Sequence, residues 1–149
     1  MNPDVQGQID IKEVEEVHTE KALEYINNPR NVGILRYYDA KGEKKAAIRG
    51  RTFTVAIYLK FQGDTIHKAS YFSDSLGGLI HAYGSALTEM IKGKTIREAL
   101  WIRPEDISRS LDLPETGFGK WFKQALIEAI NDYGKYRGAP WKKPYEHGW

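Results

Sequence analysis

Thr52-Phe53-Thr54-Val55-Ala56-Ile57-Tyr58-Leu59-Lys60-Phe61 alternates without a break: Phe53, Val55, Ile57, Leu59 and Phe61 fall on one side of an extended chain, and Thr52, Thr54, Ala56, Tyr58 and Lys60 on the other. A period of two is what a strand with one buried face requires. Gln62-Gly63-Asp64 follows as a short turn, and Ile66 to Phe72 returns as the hairpin partner. Working back, Val32 to Tyr38 reads as a third strand, closed by the turn-like Asp39-Ala40-Lys41-Gly42. Before it, Val14, Val17, Ala22, Tyr25 and Ile26 give Glu13 to Asn28 helical spacing, ending before Pro29.

Beyond Phe72 the period changes. Leu76, Ile80, Tyr83, Leu87 and Ile91 predict a helix stopped at Gly93. Thr95 and Glu98 form a capping-box pattern for a short helix that ends near Arg103, and Pro104 opens another turn or two toward Leu111. Trp121, Phe122, Ala125, Ala129, Ile130 and Tyr133 lie on one stripe of a last helix, read as the main lid on the sheet. The order of elements predicts an α+β domain: an antiparallel three-stranded sheet with helices packed on one face. Residues 1–136 read as a single domain, and 137–149 as a flexible tail in which Trp141, Tyr145 and Trp149 stand among Arg137, Lys142 and Lys143.

Composition narrows the function. With 22 Lys and Arg against 20 Asp and Glu, the formal charge of +2 argues for neither a nucleic-acid nor a membrane partner. No apolar run reaches the roughly 18 to 20 residues of a bilayer span, and Met1 to Gln8 is polar, so a soluble cytoplasmic protein is expected. The chain has no cysteine, which removes disulfides, thiolate ligands, persulfide carriage and thiol nucleophiles together. No carboxylate pair, phosphate loop or Ser-His-Asp arrangement is placed by any motif, and the expected role is not that of an enzyme.

Three segments carry a resemblance. Asn28-Pro29-Arg30-Asn31-Val32-Gly33, Ser85 through Thr95, and Asp106-Ile107 through Leu111-Asp112-Leu113-Pro114 resemble, in order, the IscU/NifU-like iron-sulfur cluster assembly scaffolds. The Ala129-Ile130-Asn131-Asp132-Tyr133 end of the last helix fits as well. The resemblance implies the IscU/NifU-like fold and an iron-sulfur cluster or zinc ion held by three cysteines and an aspartate in three loops at one end. It also implies a cysteine desulfurase or other assembly proteins as partners.

In this chain every one of those positions differs. Counting back from Tyr58-Leu59-Lys60, the first cysteine falls on Arg51 and the aspartate on Phe53; if the family's glycine is kept, they become Arg49 and Arg51. The second cysteine falls on Gly77, and the third lies between Thr116 and Lys120. Pro114-Glu115-Thr116-Gly117 stands where the family has its chaperone-recognition stretch. An arginine stays charged at physiological pH and repels a metal cation, so the sign of the site is reversed and no cofactor is predicted.

Arg49, Arg51, Gly77, Gly78, His81 and Lys120 are the candidate pocket, and Pro29, Arg30, Asn31 and Pro114 the candidate partner surface. The leading expectation is a degenerate scaffold-like protein, non-catalytic and protein-binding or regulatory. The alternative is an anion binder or enzyme that uses Arg51, Lys120 and the helix N–H groups at Gly77, Gly78 and Leu79. A third is iron or zinc held by His81 and carboxylates.

Overall fold

The computed structural model describes residues 9–11, 19–75 and 77–136. The elements run β1 (Ile9–Ile11), α1 (Glu20–Asn27), β2 (Ala40–Ile48), β3 (Arg51–Gln62), β4 (Thr65–Ser73), α2 (Gly78–Ile91), α3 (Ile96–Trp101), α4 (Pro104–Ser110) and α5 (Phe118–Tyr136). The sheet order is β1-β2-β3-β4: β2, β3 and β4 form the expected antiparallel core, and β1 adds a parallel edge beside Ala46 to Ile48. The α+β class holds, with four strands where three were read from sequence.

The alternation in β3 places Val55, Ile57 and Leu59 fully inside, against Trp121, Phe122, Ala125, Leu126 and Ala129 of α5 and Ile80, Tyr83 and Leu87 of α2. Helix α5 lies across β2 at its narrowest point. A Cβ on Gly42 would sit 2.2 Å from the Ala125 carbonyl oxygen and from the Ala129 nitrogen, so only glycine lets strand and helix approach this far. The Trp121 indole N–H donates to the Lys44 carbonyl at 2.8 Å and fixes the helix along the strand. Gly84 plays the same part for α2, where a Cβ would stand 2.4 Å from the Tyr71 ring.

Two expectations are corrected. Val32 to Tyr38 is not a strand: Gly33 and Tyr37 take φ of 113° and 57°, which breaks the extended chain, and only Val32 makes a bridge, to Tyr71. The strand lies at Ala40–Ile48, whose first residues, Ala40 to Gly42, were read as part of a turn, because a segment of mostly poor strand propensity pairs along the whole first part of β3. Helix α1 starts at Glu20 rather than Glu13, since Thr19 is extended and its side chain accepts the Ala22 N–H. Val14, Val17, Leu76 and the 137–149 tail lie outside the described residues.

The short helices are capped as the sequence indicates. Glu98 accepts the Thr95 N–H at 3.0 Å while Thr95 accepts the Glu98 N–H, and Asp106 accepts the Arg103 N–H at 2.9 Å. Buried Lys123 donates to the Leu100 and Ile102 carbonyls at the end of α3. Among the described residues, no helix is long and apolar enough to cross a membrane.

Gly42→Val should reduce stability by about 3 kcal/mol or prevent folding, because the strand and helix must separate to admit the side chain; urea unfolding measures it. The Asp106 carboxyl is held below its ordinary 3.8 by the Arg103 backbone N–H, and Glu98 below 4.5 by that of Thr95. The stability they contribute is therefore present above those values and lost as pH falls through the lower folded ones. Asp106→Asn with Glu98→Gln should flatten the acid limb of stability against pH below about 4.5, leaving neutral-pH slopes unchanged.

Candidate functional site

Three connections open at one end of the sheet. The first joins β2 to β3 with no slack: Ile48 pairs directly with Arg51, and Arg49 and Gly50 take φ of 50° and 78°, the two-residue turn with both central residues left-handed. Arg49 is thus the turn residue and Arg51 the first residue of β3, and both are exposed.

The second connection, from β4 to α2, is stitched by short side chains. Ser73 Oγ donates to the Thr54 carbonyl at 2.8 Å, and Thr54 N–H donates to Asp74 Oδ1 at 2.8 Å. Ser75 N–H donates to Ser73 Oγ, and Gly77 N–H to Ser75 Oγ at 3.2 Å. Gly77 is the N-cap of α2 at φ −64°, and a Cβ there would meet nothing closer than Ser75 Oγ at 3.5 Å. Neither its conformation nor its space demands glycine. Gly78 lies under α1, where a Cβ would be 3.3 Å from Ile26.

The third connection, from α4 to α5, closes on Glu115. Its carboxylate accepts N–H bonds from Gly117 at 3.2 Å, Gly119 at 2.9 Å and Lys120 at 3.0 Å, together with the Ser108 hydroxyl at 2.7 Å. These are the donors that the start of a helix leaves without partners, and a carboxylate there also meets the positive end of the helix dipole. Since the one Ser108 proton goes to Glu115, the Tyr83 O–H donates to Ser108 Oγ at 2.6 Å, and the chain reaches the core. Burial pushes the Tyr83 phenol up to about 12. A Cβ on Gly117, at φ 119°, would press on Ile11 at 3.0 Å; Ile11 pairs with Ile48, and Ile48 with Arg51, which brings the third connection to the end shared by the others.

Of the other candidates, His81 faces inward on α2: its Nδ1 lies 3.0 Å from the Tyr71 hydroxyl, whose carbon ring is buried. Asn31 is held by its own fold contacts. Its Nδ2 donates to Thr88 Oγ1 at 2.9 Å and Glu89 Oε1 at 3.2 Å, Lys92 Nζ donates to its Oδ1 at 3.1 Å, and its carbonyl accepts the Tyr71 N–H. Arg30 N–H donates to Ser85 Oγ at 2.8 Å. Two of the segments that carry the family resemblance are therefore two halves of one joint between the chain after α1 and helix α2. Pro29, the Arg30 side chain and Pro114 remain exposed. Among the described residues there is no group of three or more His, Cys, Asp or Glu side chains placed to hold a metal ion.

Comparison with known proteins follows the same lines. Residues 17–139 match the model of the NifU-like N terminal domain. The chain belongs to this family. It is 32% identical over 127 residues to the iron-sulfur cluster assembly scaffold protein IscU of Escherichia coli K12, covering 82% of this chain and 98% of that one. It is 37% identical over 123 residues to the iron-sulfur cluster assembly protein IscU of Plasmodium falciparum, covering 78% and 73%. In fold it is similar to the crystal structure of a Fervidobacterium islandicum AW-1 protein named for iron-sulfur cluster assembly in the SUF system, with a TM-score of 0.50, 20% identity and coverage of 83% and 90%.

Glu115 was not among the residues singled out from sequence: it lies three residues before Phe118, outside both the N-cap and the first turn where capping signals are read. Glu115→Ala should cost about 2 to 4 kcal/mol, because it leaves several donors without a partner, while Glu115→Gln should cost about half of that. Thermal unfolding checks the order, and a Glu115→Ala change of under 0.5 kcal/mol would show that the carboxylate does not hold this connection.

Proposed function

We propose that this family member is a non-catalytic, protein-binding or regulatory paralogue of the assembly scaffolds, one that does not hold a cluster by itself. The observation that supports this reading is the state of the three connections. A tight turn with Arg49 and Arg51 closes the first, Gly77 stands without a side chain at the second, and Glu115 engages the donors of the third. Cluster iron and zinc are cargo of softer or more basic donors, thiolates and imidazoles. The groups present are guanidiniums, backbone amides, two carboxylates, of which Asp74 accepts the Thr54 N–H and Glu115 is bonded to four donors, and the single imidazole of His81, whose Nδ1 lies against the Tyr71 hydroxyl. Among the described residues no three such donors converge, so they do not fit such a cargo.

The same geometry weakens the anion-binding alternative, since the α5 end near Lys120 is filled by an internal carboxylate. What persists is the framework: the joint between Asn31 and α2, the lid of α5 and the shape they present. On this reading the partner is a cysteine desulfurase or a cysteine-bearing scaffold in the cytoplasm, met through a surface that includes Pro29, Arg30 and Pro114. Size-exclusion chromatography and calorimetry against a purified desulfurase should show a complex of micromolar affinity or better, weakened about tenfold by Arg30→Glu with Pro114→Ala. A chain that binds neither a desulfurase nor a cysteine-bearing scaffold at roughly 100 μM, about 100-fold above that affinity, would end the proposal.

A further inference from the structure

The face of the sheet opposite the helices is crossed by a strap. Gly33 N–H donates to the Tyr71 carbonyl on β4 at 2.7 Å, and Asp39 N–H to the Leu59 carbonyl on β3 at 2.8 Å, so residues 34–38 pass from the edge strand β4 to its neighbour β3. Leu35 and Tyr38 on the underside pack against Ala56 and Tyr58, with the Tyr38 and Tyr58 rings edge to face at 5.0 Å. The upper side is apolar and open. Ile34 is 65% exposed and Tyr37 51%, with Phe72 at 47% on the sheet beside them.

Cations outnumber acids around this patch, although Asp74 stands just past Phe72, where it accepts the Thr54 N–H. Outward strand positions carry Lys41, Lys45, Lys60 and Lys68, and the strap carries Arg36; Glu43 is the only acid at those strand positions, and it is paired with Lys41 at 2.6 Å. Lys60 and Lys68 stand directly across from each other, a like-charged cross-strand pair that lowers stability. In a chain whose net charge is only +2, this concentration of cations around half-exposed apolar side chains is a local feature.

We infer that the strap face is a docking surface for an acidic protein segment carrying apolar anchors. Acidic side chains would relieve the Lys60–Lys68 repulsion, and the anchors would cover Ile34, Tyr37 and Phe72. Tyr37 and Phe72 are the rings left exposed here, but Ile34, the most exposed of the three apolar side chains, has no ring for a base to stack on, so apolar protein anchors fit the patch better than single-stranded nucleic acid. The inference concerns a face away from the three connections and stands independently of how those are read.

The test uses the full chain and a short synthetic peptide alternating Glu with Leu and Phe, its Gln-for-Glu counterpart, and oligothymidylate of matched charge. Amide shifts in a nitrogen-15 labelled sample should move for the Glu peptide at residues 34–37, 45, 60, 68 and 72. Lys60→Glu with Lys68→Glu, a pair of surface changes, should weaken binding about tenfold or more, and Phe72→Ser should weaken it without altering the salt dependence. Equal binding of the Gln peptide, tighter binding of the oligonucleotide, self-association through this face instead, or shifts confined to other residues would each overturn the inference, as would no binding at millimolar peptide.

Discussion

The carboxylate of Glu115 ties the architecture of this protein to its chemistry. Helix α5 is the lid over the sheet, and its first turn brings amide donors to the end of the molecule where the other two connections open. Glu115 takes those donors and the Ser108 hydroxyl at once, and through Ser108 it is joined to the buried Tyr83 of α2. The connection is thereby tied into the core. A loop that must release or capture a metal needs donors free to move; this one has its polar groups matched internally.

The other two connections are built differently. At the hairpin, register leaves only Arg49 and Gly50 between paired residues, a tight turn that presents arginines. At the start of α2 the backbone would accept a side chain and has none. The joint between Asn31, Thr88, Glu89 and Lys92 carries a full set of hydrogen bonds. Because that joint sets the path of the chain after α1, its residues serve the fold, and their presence says nothing by itself about cargo.

Much of this was legible in the sequence, and what was not has identifiable causes. The β3–β4 hairpin and helices α2 to α5 announce themselves through clean periods and caps, such as Thr95 with Glu98. Strand β2 does not, because Ala40 to Ile48 is rich in Ala and Lys and becomes a strand only by pairing with β3. The apolar residues from Val32 to Tyr38 mimic a strand locally, but the left-handed conformations at Gly33 and Tyr37 turn them into a strap, a fact fixed by contacts with Tyr71 and Tyr58 far along the chain. The arginines at the first connection could be found by counting from Tyr58. The role of Glu115 could not, since it depends on Ser108 and Tyr83 being brought beside it by tertiary packing.

The most direct measurement of the central claim is anaerobic reconstitution of the purified full chain with ferrous iron and sulfide, and separately with zinc, followed by desalting and metal analysis with visible absorption spectra. The account predicts well under about 0.1 metal ion per chain and no cluster absorption, in contrast to a cysteine-bearing scaffold treated in parallel. A stoichiometric cluster or zinc ion bound by this chain alone, lost on changing Glu115 or His81, would contradict it.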